Sequence, residues 1–357
     1  MGGLVHKITA LALAVPLILA VSSASASTQA ALDAARLEVA AAGLTGRILV
    51  ADGERVMAQT GIGPTGEAPL WPWGSVSKQV TASLVMIEVD RGRLSLDDTV
   101  GARLPGFANT ETAGVTLRQL LMHTSGLPNP DDTPQQDGAP SFYLRPGSQV
   151  GGRADAVGYC AGPPKRPAGE AFAYNNCDTI VLGAVLEAVS GQRFADLLAT
   201  RIARPLKLKT LKMSPPGQRL VTARSADGPL AAWNLATFGA GGAMTGSPED
   251  LVRFDQALLR GGLVSAASTQ VMWAGEPRLG YVALGAWSFA APLAGCKDPV
   301  ALIERRGSVD GIQTRNLIAP DLKRILVVFT DNADFDFGEV WQGRGPTYSL
   351  ASAAFCS

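Results

Sequence analysis

WPWGSVSKQVTASLVMIEVDRGRL, residues 71–94, sets Ser75 three positions before Lys78 at the point where a helix should begin. On a helix, positions i and i+3 share a face, so the hydroxyl and the amine can touch and pass a proton. A serine hydroxyl is a weak nucleophile until a neighbouring base takes that proton. Of the eight lysines in the chain, Lys78 alone has a serine three residues before it. A Ser-x-x-Lys string by itself usually marks solvated helix surface, so its weight comes from what lies around it. Apolar residues at Val80, Leu84 and Ile87 predict a helix from Val76 to Arg91 packed on one face, with Gly92 as its stop.

Working outward, the first residues read as an export signal: His6 and Lys7, an apolar core from Ile8 to Val21, then a small-residue cleavage site at Ala24-Ser25-Ala26. The apolar run is shorter than the ~20 residues that cross a bilayer. No cysteine near the cleavage site offers a lipid attachment. The expectation is a chain starting at Ser27, periplasmic or secreted, with no stable membrane anchor. The full sequence's 31 basic and 31 acidic residues, without charge runs, argue against nucleic acid as a partner. Four cysteines in an exported chain predict two disulfides. Of the three pairings, Cys160–Cys177 with Cys296–Cys356 is favoured, because the first pair is close in sequence and flanks Tyr174.

Histidine usage narrows the chemistry. His6 leaves with the signal, and His123 alone remains. Zinc hydrolases need two or three histidines, so metal-dependent hydrolysis is disfavoured, and no metal or other cofactor is expected. A Ser-His-Asp triad would rest on His123, yet no Asp or Glu adjoins it in sequence to orient the ring, and no Gly-x-Ser-x-Gly elbow is present. His123 is therefore read as part of a turn after a helix. The general base falls to a lysine or a tyrosine.

Thr28 to Ala42 has helical spacing, and Gly46 to Thr60 reads as a hairpin turning at Asp52-Gly53. Val115 to Met122 and Asn176 to Val189 are expected helices, whereas Pro128 to Gly169, rich in Pro, Gly and Asp, reads as an irregular wall or lid. Four short strands are expected at Leu279–Phe289, Leu302–Arg306, Gln313–Ile318 and Arg324–Thr330, and Leu350–Phe355 ends a last helix. Strands at both ends of a helical middle give an α+β domain over 27–357. One antiparallel sheet is built from both termini, and a helical lobe is inserted at about 76–250.

Three further strings follow Ser75-Val-Ser-Lys78: Leu120-Leu-Met-His-Thr-Ser-Gly-Leu127, Gly169-Glu-Ala-Phe-Ala-Tyr-Asn-Asn176, and Ala240-Gly-Gly-Ala-Met-Thr-Gly-Ser-Pro-Glu-Asp-Leu251. In this order and spacing they resemble the serine β-lactamase and penicillin-binding-protein superfamily, class C-like branch, over most of the chain. The resemblance implies a β-lactamase/transpeptidase-like fold, with a central antiparallel sheet flanked by helices, an all-helical lobe, and the active site in the cleft between them. It implies catalytic roles for Ser75 as the acylated nucleophile, Lys78 as base and Tyr174 as proton relay to the leaving group. Asn176 would hold Lys78 and a substrate amide, although taken alone it would read as a helix cap. Gly241-Gly242 reads as close backbone packing, since no P-loop pattern surrounds it.

The last family element departs from pattern. Relatives carry Lys-Thr-Gly or His-x-Gly on a strand beside the nucleophile, and here the best register is Arg305-Arg306-Gly307-Ser308. Arg305, Gly307 and Ser308 then join Asn176 as substrate-binding residues, with the Ser75 and Ser308 N–H groups as oxyanion donors. Arginine keeps the charge and can grip a carboxylate, but it cannot carry protons. A one-residue shift would put Arg306 in that place, and both registers stay open. The expected function is an exported serine hydrolase acting on a small molecule or peptide with a scissile amide, lactam or ester: a β-lactam, a D-alanyl peptide or a small ester. The alternative is a non-catalytic relative that binds penicillin or peptidoglycan fragments.

Overall fold

The two ends of the chain meet in one sheet. The computed structural model describes residues 16–53, 55–62, 70–107, 110–145, 153–214, 220–231 and 233–357. A hairpin of β1 (Gly46–Asp52) and β2 (Arg55–Ile62) comes first. Among the described residues, the middle carries only short strands: β3 (Trp71–Pro72), β4 (Gln135–Gln136), β5 (Ala139–Pro140), β6 (Lys212–Met213) and β7 (Met244–Gly246). Long strands return as β8 (Trp287–Ala291), β9 (Val300–Val309), β10 (Ile312–Ala319) and β11 (Arg324–Thr330). The main sheet runs β2-β1-β11-β10-β9-β8, antiparallel throughout, with Gly46 opposite Thr330 and Val50 opposite Leu326.

The helices are α1 (Pro16–Ala41), α2 (Ser77–Asp90), α3 (Val100–Arg103), α4 (Leu117–Leu121), α5 (Arg153–Cys160), α6 (Asn176–Ser190), α7 (Phe194–Leu198), α8 (Pro248–Leu259), α9 (Ala266–Met272) and α10 (Pro346–Phe355). Alternation along the strands divides the core in two. Val50, Leu302 and Leu326 pack with Leu32, Val39 and Leu350 of α1 and α10. Leu49, Ile303 and Val327 pack in the other cluster with Val80 and Leu84 of α2. Each fully buried side chain of this size contributes about 1.5–3 kcal/mol relative to exposure. Because both faces are covered, β1 reads as a continuous apolar run instead of an alternating one.

Two expectations are corrected. The helix after Ser75 is buried from Ser77 to Glu88, not along one face. It runs through the core with helices on one side and the sheet on the other, and its polar groups are bonded inward: Gln79 Nε2 donates to Asp255 Oδ1 at 2.9 Å, and Thr81 Oγ1 to the Ala240 carbonyl at 2.8 Å. The expected strand over Leu279–Phe289 is a 3-10 turn (Pro277–Leu279) followed by left-handed residues at Gly280, Tyr281 and Gly285, so the strand itself begins only at Trp287 after an isolated bridge at Val282. At Gly285 a methyl group would meet the Lys78 carbonyl at 2.8 Å, which is why this loop can lie directly on α2.

Among the described residues of the wall from Pro128 to Gly169, the regular elements are β4, β5, α5 and the 3-10 turns Pro130–Asp132 and Ser141–Leu144. The hairpin turns where expected, and α6 ends at a left-handed Gly191. Both favoured cysteine pairs are bonded, Cys160–Cys177 and Cys296–Cys356. Of the expected export signal, residues 1–15 lie outside the described residues. From Pro16 the backbone is helical through the expected cleavage point. Among the described residues no helix is long and apolar enough to cross a membrane.

Candidate active site

The 3-10 turn Gly74–Val76 runs straight into α2 and presents Ser75 half-buried at the head of the helix. Gly74 has φ 50, and a methyl group there would stand 3.1 Å from the Ser308 nitrogen. Gly307 is tighter still, since its methyl would lie 2.4 Å from the Trp73 carbonyl. The two glycines let β9 close onto the turn and bring the Ser308 N–H beside Ser75.

One turn along α2, Lys78 is almost wholly buried, and its Nζ reaches three acceptors: Asn176 Oδ1 at 2.7 Å, the Gly241 carbonyl at 2.8 Å and Ser75 Oγ at 3.2 Å. As an ammonium it donates to all three. As a neutral amine it keeps two donors, for Asn176 and Gly241, and turns its lone pair to Ser75. Burial pushes the Lys78 amine below its ordinary value, and the charge of Arg305 acts in the same direction against the opposing charge of Tyr174.

On the other side of Ser75 Oγ, the Tyr174 hydroxyl lies at 2.5 Å and accepts from Arg305 Nη2 at 2.9 Å. Burial alone would raise the Tyr174 phenol. The cations of Lys78 and Arg305 overcome it and hold the group below its usual range. Arg305 is itself buried, with its Nε on the Ser75 carbonyl at 2.7 Å. Arg306 leaves the other face of β9 and pairs with Glu304 and Glu339, so Arg305 is the arginine in the site.

Asn176 sits at the start of α6, yet the cap is made by its neighbour: the Asn175 side chain accepts from Cys177 N at 2.8 Å. Asn176 is thereby free to face the site. Its Oδ1 takes Lys78, while its Nδ2 donates to the Tyr143 hydroxyl at 2.7 Å and to Asp131 Oδ1 at 3.2 Å. Sequence reading missed Tyr143 and Asp131, which lie in the irregular wall, and the Gly241 carbonyl, a main-chain atom with no pattern to announce it. Gly241 does pack closely, since a methyl there would lie 3.4 Å from Lys78 Nζ.

His123 has φ 54 after α4, and its carbonyl accepts from Ala173 N at 2.8 Å, steadying the segment that carries Tyr174. The acid that sequence proximity did not offer is Asp178, whose Oδ2 lies 2.7 Å from His123 Nδ1. Ser125 Oγ donates to the same carboxyl. The imidazole packs with its ring centre 4.7 Å from that of Tyr174, tilted by 52°, and, by burial first and then by the charges of Arg305 and Lys78, is held well below its ordinary pKa. It supports the tyrosine from beneath and makes no contact with Ser75.

Ser75, Lys78, Tyr174, Asn176, Arg305, Gly307 and Ser308 are thus brought to one place. The chain belongs to the beta-lactamase family, whose model matches residues 32–337. Penicillin-binding protein 4 of Amycolatopsis lactamdurans is 33% identical over 250 residues, 65% of this chain and 62% of that protein. The D-alanyl-D-alanine-carboxypeptidase/endopeptidase AmpH of Escherichia coli (strain K12) is 30% identical over 197 residues, 52% of this chain and 48% of that protein. The match spans less than two thirds of either curated relative. The D-stereospecific amidohydrolase from Streptomyces sp. shares the fold with a TM-score of 0.70 at 24% identity, covering 93% of this chain and 98% of that one. The D-amino acid amidase from Ochrobactrum anthropi SV3 does so with a TM-score of 0.71 at 18% identity, covering 91% and 98%.

Proposed function

We propose that the protein is an exported serine hydrolase that forms an acyl-enzyme on Ser75 and acts on small amides, lactams or esters. The observation that carries this reading is the placement of Ser75 Oγ between two bases, Lys78 Nζ at 3.2 Å and the Tyr174 hydroxyl at 2.5 Å, both held below their ordinary pKa. A residue that only packs has no use for two such neighbours.

In the forward step Ser75 Oγ attacks the carbonyl carbon as its proton passes to the Lys78–Tyr174 pair. The oxygen that becomes negative is received by the Ser75 and Ser308 N–H groups, and the turn also lies at the positive end of α2. Collapse breaks the bond to the leaving group, which takes the proton from Tyr174. Water then attacks the ester carbon, gives its proton to the same pair, and Ser75 leaves with it. Arg305 cannot carry protons, so its part is to supply fixed positive charge to Tyr174 and Lys78.

The names of the relatives support amide and lactam chemistry, and the two disulfides fit an oxidising compartment after export. Intact-mass spectrometry of the chain against a panel of amide, β-lactam and ester acyl donors tests the reading. A mass gain that maps to Ser75 and then decays is expected. A gain that persists indefinitely with every donor would assign capture in place of turnover, and Ser75→Ala protein that still acylates would sink the mechanism.

A further inference from the structure

The irregular wall brings an exposed carboxylate to the edge of the catalytic hydrogen-bond chain. Asp131 lies in the 3-10 turn Pro130–Asp132. Asn129 pins this turn to the Tyr174–Asn176 segment. Its Oδ1 accepts from the main-chain N–H of Asn176 at 3.3 Å and of Asp131 at 3.4 Å, and its Nδ2 donates to the Tyr174 carbonyl at 3.1 Å. Asp131 Oδ1 accepts from Asn176 Nδ2 and from the Tyr143 hydroxyl. Tyr143 is fully buried, its ring parallel to those of Phe238 at 4.1 Å and Trp233 at 5.3 Å, so that its hydroxyl is a fixed donor. Both bonds fall on Oδ1, and Oδ2 has no hydrogen-bond partner among the described residues.

This arrangement changes what the site offers a substrate. The two hydrogens on Asn176 Nδ2 are already committed, one to Asp131 and one to Tyr143. An N-acylated substrate, which brings a carbonyl oxygen toward this wall, finds no donor from Asn176 and a carboxylate in front of it. A free ammonium brings three donors to an unfilled carboxylate oxygen. Arg305, the cation expected to grip a substrate carboxylate, is buried with Nε and Nη2 engaged on Ser75 and Tyr174. Asp131 is one amide group away from Lys78, which itself touches Ser75 Oγ. That short span suits a substituent close to the scissile carbonyl, not the far end of a long side chain.

We propose that Asp131 is a specificity determinant that receives the free α-ammonium of the acyl group, so that aminoacyl amides and esters are preferred over their N-acylated counterparts. This rests on the acyl-enzyme reading of Ser75. The test compares kcat/KM of the full chain for three matched p-nitroanilides of both enantiomers where chiral: alanyl, N-acetylalanyl and propionyl. Assays run at about pH 6.5, below the ordinary α-amino pKa of about 7.7–8.0, so that the amine is charged. Wild type should favour the alanyl substrate over both others by about tenfold or more, as expected for a charge pair formed in a partly desolvated site. Asp131→Asn keeps an acceptor for Tyr143 and Asn176 but removes the charge, and should bring that ratio close to one. A wild-type ratio at or below one overturns the proposal, whether or not the variant folds. So does a ratio that Asp131→Asn leaves intact, because loss on all three substrates alike is what a merely structural prop would give. A fluorophosphonate that fails to label Ser75 would instead sink the acyl-enzyme reading, and this proposal with it; labelling with the wrong ratio sinks Asp131 alone.

Discussion

Arg305 is tied to the nucleophile's own backbone: its Nε donates to the Ser75 carbonyl at 2.7 Å while its Nη2 donates to the Tyr174 hydroxyl at 2.9 Å. One rigid fork therefore fixes the distance between the serine turn and the tyrosine, and delivers charge to both bases.

Replacing that fork separates its two effects. Arg305→Lys keeps a charge but cannot span both acceptors, and should lower kcat by about tenfold or more through lost alignment. Arg305→Ala also removes the cation that lowers Lys78 and Tyr174, so both pKa values rise. The bases then reach their deprotonated forms only at higher pH, and the acid limb of kcat/KM should move in the alkaline direction. A pH–rate profile of the two variants beside wild type checks this; an acid limb that stays in place removes the charge role.

Tyr174→Phe deletes the hydroxyl that touches Ser75 and Arg305 but keeps the ring that packs against His123. Acylation should slow by about 10²–10⁴-fold, the usual worth of a positioned acid–base group, with little change in Tm. Stopped-flow acylation with a chromogenic ester measures the first quantity and thermal unfolding the second. A large fall in Tm with acylation intact would assign Tyr174 to packing.

Asp255 is buried beneath α2, with Oδ1 accepting from Gln79 and Oδ2 unpaired, and burial pushes its carboxyl well above the ordinary range against the hydrogen bonds of Asn316 and Gln79. The folded state thus holds a proton that the unfolded chain releases near pH 3.9. That contribution is complete below this pH and is lost as pH rises through the folded-state value. Asp255→Asn keeps the acceptor and replaces the unpaired oxygen by a donor, so stability at neutral pH should rise and become flatter with pH. Denaturant unfolding of the two proteins at pH 5 and pH 8, compared as a difference, checks the sign.

The Cys160–Cys177 bridge joins the end of α5 to the first turn of α6, one residue past Asn176. Closing a loop of 17 residues constrains the unfolded chain by about 3 kcal/mol in the chain-entropy account. The double substitution of both cysteines by serine should lower Tm accordingly. Peptide maps taken without reductant should recover the pair linked, and recovery of both as free thiols refutes the assignment.

What the sequence revealed of the site follows how its residues are held. Ser75 and Lys78 stand at helical spacing across the 3-10 turn and the first turn of α2, and Tyr174 and Asn176 close a single string, so local pattern was enough to single them out. The choice between Arg305 and Arg306 was not legible, because period-two alternation puts two neighbouring arginines on opposite faces without saying which face meets the cleft. The pairing of Arg306 with Glu304 and Glu339 settles it in space. Asp131, Tyr143 and the Gly241 carbonyl enter through a loop and a main-chain atom, and Asp178 meets His123 across 55 residues. The break after Leu279 turns on a left-handed Tyr281, a conformation that a non-glycine residue does not advertise.

The pairing of β1 with β11 sets the order in which this protein can come into being. Strands from opposite ends of the chain must find each other before the centre of the sheet exists, and closing so long a loop makes this a slow, late event. Until β11 emerges, β1, which carries Ile48, Leu49 and Val50, has only β2 beside it, and the edge that β11 will fill stays bare. A polypeptide threaded through a membrane from its leading end would therefore arrive without a stable knot at its front. The same delay leaves an unpaired strand edge open to other chains until β11 is made.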